Sequence, residues 1–453
     1  LAWRRRCSRG PLRVRAPLCF RLAAYLDNDH WLRLSCCSTG WRDLVTLRAQ
    51  MGFVHEAARP WRSRGGDHFS GWERLGLAVG GSSKWEALRA RLLVPPPRAR
   101  QGLRCRADEM TLPHFYRHHE TLPGMPVIFT DLATSWPCFS CPTRRWTMEN
   151  MLRRFSTDWF RFDDLHGEEM PLRSYWAYTL VTQDDSPLAI YDSQFGEPEE
   201  EDENEEEDNK DDEADDNTNN NKNQLAGEYT VPAYFRDDMF SIVCSTDIDS
   251  VPASPGASDN DNRPPFRWVL IGPQRSGTGL HIDPLMTSAW VTLLHGEKRW
   301  FMFPPDVSHA RVGFHEHGSA KMEAVEWFLR FTGTEAAEGV DGCIEILQRA
   351  GETVFVPAGW LHIVVNLTTT LSITHNYASP HSGKAGIQAI WEEIATIEPE
   401  FARRWFQKLV CLISGEEGEA GVCPGWVQAN DVERHVRERH AELRARERID
   451  WDL

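Results

Sequence analysis

Between residues 266 and 379 the sequence is a series of short apolar segments rich in Val, Ile, Thr and Trp, which favours β-strands. Turn-like breaks such as His295-Gly296-Glu297 and Thr368-Thr369-Thr370 separate several of them. The segments are FRWVLIG, SAWVTLL, KRWFMFP, ETVFVP, HIVVNL and TLSITHNYA. Short strands in such succession predict an antiparallel double-sheet jelly roll, the double-stranded β-helix barrel of cupin type.

Predicted helices interrupt and flank this strand-rich stretch. The segment AVEWFLRF within residues 317–334 predicts one helix, and residues 381–453 predict several more. Before the strands, WTMENMLRRF (146–155) predicts an amphipathic helix with Thr147 as its N-cap. The expected fold class is therefore mainly β with flanking α, a barrel with N- and C-terminal helices.

A proline-rich linker, VPPPRAR (94–100), is the first plausible domain boundary, because consecutive prolines favour an extended spacer and stop a helix. We expect the barrel domain to occupy residues 104–380. Residues 57–103 precede it as a helical and linker region. Their interleaved Arg and Trp could stack on nucleic acid, but acidic residues are mixed in and helix packing is the favoured use, so direct nucleic-acid binding is not supported.

An acidic and Asn-rich insertion, at about residues 197–224, interrupts the predicted barrel domain. Residues 197–216 hold fifteen acidic residues and one lysine, so they carry −14 of the formal net charge of −17. Like charges without apolar residues cannot collapse into a core, and we expect a disordered loop outside the barrel. The alternative to an inert loop is an electrostatic lure for basic substrates such as histone tails.

The composition also indicates in which cellular compartment the protein is expected. No run of about 18 apolar residues occurs, so we expect no membrane span. The eleven cysteines fit no disulfide framework, which favours reduced thiols in the nucleus or cytoplasm. The basic start, LAWRRRCSRGPLRVR, favours the nucleus, and a frayed basic tail is the simpler alternative. Cys138 and Cys141 lack a second pair at zinc-like spacing.

One H-x-D motif, His281 and Asp283, lies within RSGTGLHIDPLMTSAWVTLLHGEKRW (275–300). On an extended strand this spacing points both side chains to one face, where they can bind a divalent metal. His362 is the best candidate for a third ligand. Two histidines and one carboxylate leave coordination positions open, which suits Fe(II) enzymes and is a poor design for structural zinc. Taken singly, the same residues fit an ion pair and a core histidine.

The order of several motifs resembles the JmjC-domain, 2-oxoglutarate-dependent oxygenases. Within that family the chain is most similar to the phosphatidylserine-receptor-like branch, described as arginine demethylase and lysyl hydroxylase. The similarity runs from about residue 104 to residue 379, interrupted by one insertion. The blocks that carry it are YFRDDMF (234–240), RPPFRWVLIGPQRSGTGLHIDPLMTSAW (263–290), HGEKRWFMFPP (295–305), EWF (326–328) and GETVFVPAGWLHIVVNLTTTLSITHNYAS (351–379).

This resemblance implies a metal site and a reaction class. His281, Asp283 and His362 would be the catalytic residues and would bind Fe(II), with 2-oxoglutarate and O₂ as co-substrates. The substrate would be a protein side chain, such as an arginine or lysine of a histone tail. The metal motif does not choose between hydroxylation, which gives a stable alcohol, and demethylation, which releases formaldehyde.

The resemblance also implies residues that bind 2-oxoglutarate. Lys298 is identified as the cation for its far carboxylate, since a buried carboxylate needs a cation or several donors. Thr278, Thr374 and Asn376 are implied as further co-substrate residues. Thr374 and Asn376 have the same parity on one predicted strand, so both can face the barrel interior. Each has a simpler alternative, a solvated lysine or an ordinary strand residue.

Two departures from this branch concern co-substrate binding. Where the branch has a tyrosine, this chain has Ala189, with Tyr191 two residues later on the same strand face. Where the branch has an asparagine after SAW, this chain has Val291. The loss of two polar partners predicts weaker 2-oxoglutarate binding or a changed pose.

The N-terminal residues 1–56 contain a segment similar to an F-box, PLCFRLAAYLDNDHWLRLSCCSTGWRDLV (17–45). That resemblance implies binding to the adaptor of a cullin-type ubiquitin ligase, and a small helical lead-in is the alternative. A second function class is therefore a substrate-recruiting ligase subunit whose barrel only binds. A third is a cupin that uses another metal for non-oxidative chemistry.

Overall fold

The structure is a computed structural model, and it describes seven parts of the chain. These are residues 83–163, 168–182, 186–196, 221–242, 264–314, 322–397 and residue 405. The F-box-like segment, most of region 57–103, most of the acidic insertion and most of the C-terminal region lie outside the described residues.

Three sheets contain the described strands. A seven-stranded sheet has the order β1-β2-β11-β8-β13-β6-β5, a four-stranded sheet the order β10-β9-β12-β7, and β3 pairs with β4. The strand bounds are β1 Leu103–Cys105, β2 Val127–Phe129, β3 Trp159–Asp163, β4 Glu168–Pro171, β5 Ile190–Asp192, β6 Arg267–Gly272, β7 Gly277–His281, β8 Ser288–His295, β9 Glu297–Phe303, β10 Ile344–Arg349, β11 Thr353–Val356, β12 Leu361–Asn366 and β13 Thr370–Tyr377.

The two larger sheets share one apolar layer. Val291 on β8 and Val354 on β11 belong to the same buried cluster as Trp300 on β9, Ile346 on β10 and Val364 on β12. Both sheets are antiparallel except where β1 joins β2. This arrangement confirms the predicted double-sheet jelly roll, mainly β with flanking helices.

Helices precede, interrupt and follow the series of described strands. None of those described combines the length and the apolarity that crossing a bilayer requires. Their bounds are α1 Ser83–Leu92, α2 Leu112–Phe115, α3 Pro137–Ser140, α4 Met148–Phe155, α5 Leu172–Val181, α6 Ala324–Phe331, α7 Glu335–Glu338 and α8 Gly383–Ile397. At the start of α4 the side chain of Thr147 accepts a hydrogen bond of 3.3 Å from the amide of Asn150, as the N-cap prediction requires.

Helix α1 packs on the outer face of the smaller sheet. Trp85, Leu88 and Leu92 recur at helical spacing and are buried in one cluster with Phe301 of β9. The guanidinium of Arg299 donates to the carbonyls of Leu92 and Val94 at 2.9 and 2.8 Å. The segment that precedes the three prolines is therefore hydrogen-bonded to the barrel.

The segments just before and just after the acidic insertion contact each other. The amide of Gly196 donates to Oδ1 of Asn223 at 3.0 Å, and the buried ammonium of Lys222 lies 2.8 Å from Oδ2 of Asp192 on β5. Residues Asn221–Glu228 form a 3₁₀ turn, so the anchored chain begins before the predicted end of the insertion at about residue 224. Lys222 is placed by its buried carboxylate partner, which composition alone does not show.

Candidate metal centre

Two neighbouring strands of the smaller sheet carry the three predicted metal ligands. His281 on β7 is paired in register with His362 on β12, and Asp283 follows the end of β7 by two residues. The strands approach closely at Gly277, where a Cβ would lie 2.1 Å from the carbonyl oxygen of Val364. A glycine is needed there because any side chain would meet that backbone.

The three side chains converge on a common point. Oδ1 of Asp283 lies 3.6 Å from Nε2 of His281 and 3.8 Å from Nε2 of His362. The candidate ligand atoms all lie within 4.8 Å of one another. Ligands bound at about 2.1 Å to one divalent ion lie roughly 3–4 Å apart, so one ion fits between them.

Backbone carbonyls set the orientation of both imidazoles. Nδ1 of His281 lies 2.7 Å from the carbonyl oxygen of Gly279, and Nδ1 of His362 lies 2.9 Å from that of Trp360. Each ring therefore donates from Nδ1 and leaves the Nε2 lone pair directed at the common point. Both rings are thus oriented by a backbone carbonyl on Nδ1, although they come from distant parts of the chain.

Burial decides the protonation of this site. It lowers the pKa of His362 to about 4, with the neighbouring His281 adding to the effect, so His362 is a neutral imidazole at neutral pH. Burial opposes the ionisation of Asp283, but attraction to the two histidines when they are protonated, together with a hydrogen bond from Asn376, outweighs it, and the pKa of Asp283 is lowered. A neutral imidazole and a carboxylate are the forms that bind a metal.

The donor set fits an open metal site. Oδ2 of Asp283 is buried without a hydrogen-bond partner, and a carboxylate oxygen in that state needs a cation. The side chain of His281 is 26% exposed and that of His362 is 5% exposed, so the site is accessible from the His281 side. Two nitrogens and one carboxylate on one side of an ion suit Fe(II) with further positions free.

A strained turn follows Asp283 directly. Leu285 has φ 60° and ψ 25°, and Met286 has φ 47°, so two successive residues other than glycine lie in the left-handed region. Each such residue costs roughly 1–3 kcal/mol and persists only where its surroundings hold it. The turn connects the metal-ligand segment to β8.

Lys298 lies on β9 and is buried in the barrel. It is on the same face of the smaller sheet as His362 of β12. It pairs with Asn366 across β9 and β12, and its ammonium donates to Oδ1 of Asn366 at 2.9 Å. Asn366 in turn donates to Oγ of Ser276 at 2.8 Å. Burial lowers the pKa of Lys298 to about 7. Among the described residues its hydrogen-bond partner is the side-chain amide of Asn366, and an interior ammonium so placed is suited to an incoming carboxylate.

The remaining predicted co-substrate residues, Thr278, Thr374 and Asn376, lie on two strands, β7 and β13. Thr278 on β7 shares a hydrogen bond of 2.9 Å with the hydroxyl of Tyr191, so Tyr191 supplies a polar group where Ala189 supplies none. Thr374 is buried on β13, directly opposite Val291 on β8. The strand position of Val291 therefore brings an apolar side chain beside Thr374.

Asn376, the other predicted co-substrate residue on β13, forms hydrogen bonds close to the metal ligands. Its amide donates to Oγ1 of Thr287 at 3.1 Å and contributes a hydrogen bond that lowers the pKa of Asp283. The structure thus places Asn376 beside a metal ligand. Sequence reasoning missed this contact and the Lys298–Asn366 hydrogen bond, although the shared parity of His362 and Asn366 pointed to one face.

Comparison with known proteins agrees with the family resemblance of the sequence motifs. Residues 268–377 match the family described as JmjC domain, hydroxylase. The chain is 32% identical over 347 residues to the bifunctional arginine demethylase and lysyl-hydroxylase psr-1 of Caenorhabditis briggsae, covering 75% of this chain and 73% of that protein.

Two further relatives cover less of the chain. The arginine-specific demethylase JMJ22 of Arabidopsis thaliana is 30% identical, over 57% of this chain and 42% of that protein. The 2-oxoglutarate and iron-dependent oxygenase JMJD4 of Homo sapiens is 30% identical, over 38% of each chain. All three names describe oxidative chemistry.

Proposed function

The chain belongs to the JmjC-domain hydroxylase family, and on that premise we propose that it is an Fe(II)- and 2-oxoglutarate-dependent dioxygenase that hydroxylates or demethylates arginine or lysine side chains of proteins. The observation that carries this proposal is the convergence of His281, Asp283 and His362 at one accessible point. Basic segments such as histone tails are the substrates that we favour within this class, and the nucleus is the favoured compartment.

The bound iron would supply O₂ activation coupled to the oxidative decarboxylation of 2-oxoglutarate to succinate. The protein's part is to hold the metal and leave positions free. His281 and His362 would each bind it through Nε2, because Nδ1 of each ring is bonded to a carbonyl. Asp283 would bind through its carboxylate.

The barrel interior would orient the co-substrate and exclude water. Lys298 would pair with the far carboxylate of 2-oxoglutarate, with Asn366 fixing the direction of its ammonium. Thr278 and Tyr191, and Thr374 on β13, would supply further polar contacts. Val291, Met302 and Val364 form buried apolar walls nearby, which strengthens the charge–charge contact.

The reaction is tested by mass spectrometry of arginine- and lysine-containing peptides incubated with iron, 2-oxoglutarate and O₂. A gain of one oxygen mass would identify hydroxylation, and the loss of one methylene from a methylated peptide would identify demethylation. If neither mass change is found but the peptide still stimulates 2-oxoglutarate consumption, the side chain that reacts is neither arginine nor lysine. The F-box-like segment stays a prediction, since it lies outside the described residues.

A further inference from the structure

The C-terminal helix α8 reaches the strained turn behind the metal centre. Oε1 of Glu393 accepts a hydrogen bond of 2.9 Å from the backbone amide of Leu285, 108 residues earlier in the chain. The amide of Met286 also acts on this carboxylate through a backbone hydrogen bond. Successive amides of a tight turn form a concave anion site, and here the anion comes from the protein itself.

The contact joins two unusual features. Leu285 and Met286 both have left-handed backbone conformations, which residues with a side chain rarely adopt. The local bonds in this turn are those from Thr287 to the carbonyl of Pro284, through its amide at 3.3 Å and its hydroxyl at 2.8 Å. Neither bond uses the amides of Leu285 or Met286, so the carboxylate of Glu393 is what satisfies them.

We propose that Glu393 is a positioning residue that holds the left-handed turn at Leu285 and Met286 and so fixes the carboxylate of Asp283 against the two histidines. The connection between Asp283 and the turn is short, because Pro284 alone separates them. It is also stiff, because the proline ring restricts the backbone. This inference rests on the metal centre of the proposed function. It adds that the C-terminal helix sets the geometry of one ligand.

A purely structural role for Glu393 makes a different prediction. Helix α8 has its own apolar contact surface, formed by the buried residues Ile387, Ile390 and Ile394 at helical spacing. If Glu393 served only to dock the helix, its loss would lower stability without changing the metal affinity of the folded protein. The two roles are therefore separable by measuring both quantities.

Met286 provides a way to test the turn itself. Glycine adopts the left-handed conformation without the steric cost that methionine has. In a Met286→Gly background the turn should keep its shape even when the carboxylate is absent. Rescue by this substitution would not be expected if Glu393 acted only on helix docking, because the substitution changes no residue of α8 and adds no contact to it.

The experiment is a double-mutant cycle in which the dissociation constant of Mn(II) is measured by calorimetry on the full chain. We expect Glu393→Ala to weaken Mn(II) binding about tenfold, in the range found for groups that orient metal ligands. Met286→Gly alone should bind at least as tightly as the unmodified protein, and the double variant should recover most of the loss. Glu392→Ala is the matched control, since Glu392 is exposed and accepts from Gln388 on the same helix.

Two results would overturn the proposal. One is unchanged Mn(II) affinity in Glu393→Ala, and the other is an equal loss in Glu393→Ala and in the double variant. If the alanine variant does not fold, Glu393→Gln keeps one acceptor oxygen and should show a smaller loss that Met286→Gly also rescues. Failure of the unmodified protein to bind Mn(II) would instead overturn the metal centre itself.

Discussion

The ammonium of Lys298 donates a 2.9 Å hydrogen bond to Oδ1 of Asn366, and no acidic side chain in the described parts of the chain forms an ion pair with it. The pKa of Lys298 is lowered to about 7 because the charged form is buried. An anionic ligand would stabilise that charge. Lys298 and Asn366 therefore link co-substrate affinity to pH.

We predict that 2-oxoglutarate binds more weakly as the pH rises above about 7. Below that pH Lys298 carries its charge before the ligand arrives, and above it binding must take up a proton, so the dissociation constant should increase about tenfold per pH unit. The measurement is equilibrium binding of 2-oxoglutarate between about pH 6 and pH 8.5, with saturating Mn(II). Lys298→Met should bind weakly with little pH dependence, and a flat profile in the unmodified protein would contradict the prediction.

A second prediction concerns Tyr191, which stands two residues after the alanine that replaces the family's tyrosine. Tyr191→Phe removes the hydroxyl that shares a hydrogen bond with Thr278, and we expect about 1 kcal/mol, or about fivefold, weaker 2-oxoglutarate binding. Thr278→Val should have a similar effect, and the double variant should lose little more. Mn(II) affinity measured in parallel should not change, and additive losses would show that the two residues act separately.

A third prediction concerns stability. The guanidinium of Arg299 and the carboxylate of Glu345 form a buried ion pair between β9 and β10 that also holds the end of α1. Glu345→Gln would leave Arg299 buried without its counter-ion and should lower the free energy of unfolding by about 3–5 kcal/mol. Urea denaturation measures this. The pair formed by the exposed Glu86 with Arg89 is the control, since Glu86→Ala should change stability by only about 0.5 kcal/mol.

A fourth prediction concerns the acidic insertion. Because Gly196 and Asn223 are joined by a 3.0 Å hydrogen bond, a short Gly-Ser linker in place of residues 197–216 should leave the melting temperature unchanged. An inert loop predicts equal KM for a basic peptide in both proteins. A lure predicts a higher KM in the shortened protein, with the difference disappearing at high salt.

Strand parity and motif order predicted the part of the site that is local in sequence. The H-x-D spacing placed His281 and Asp283 on one side of the chain, and alternation along β12 placed Asn366 on the same side as His362. The register of β7 against β12 could not be predicted, because it depends on packing between strands far apart in the sequence. The same holds for Glu393 and Leu285, which are 108 residues apart.

Other features gave no signal in the sequence. The left-handed turn at Leu285 and Met286 contains no glycine or asparagine, the residues that indicate such a conformation. Lys222 lies within the predicted disordered insertion, yet its ammonium is buried against Asp192. Both depend on a distant carboxylate, and a one-dimensional pattern cannot show which carboxylate approaches.

The most direct test of the proposed chemistry is the conversion of 2-oxoglutarate to succinate with Fe(II) and O₂, measured in the unmodified protein and in His281→Ala. His295→Ala is the control, since that exposed histidine lies at the far end of β8. We predict iron-dependent succinate formation that is abolished in His281→Ala and retained in His295→Ala. Equal succinate formation in the unmodified protein and in His281→Ala would contradict the assignment of the metal centre.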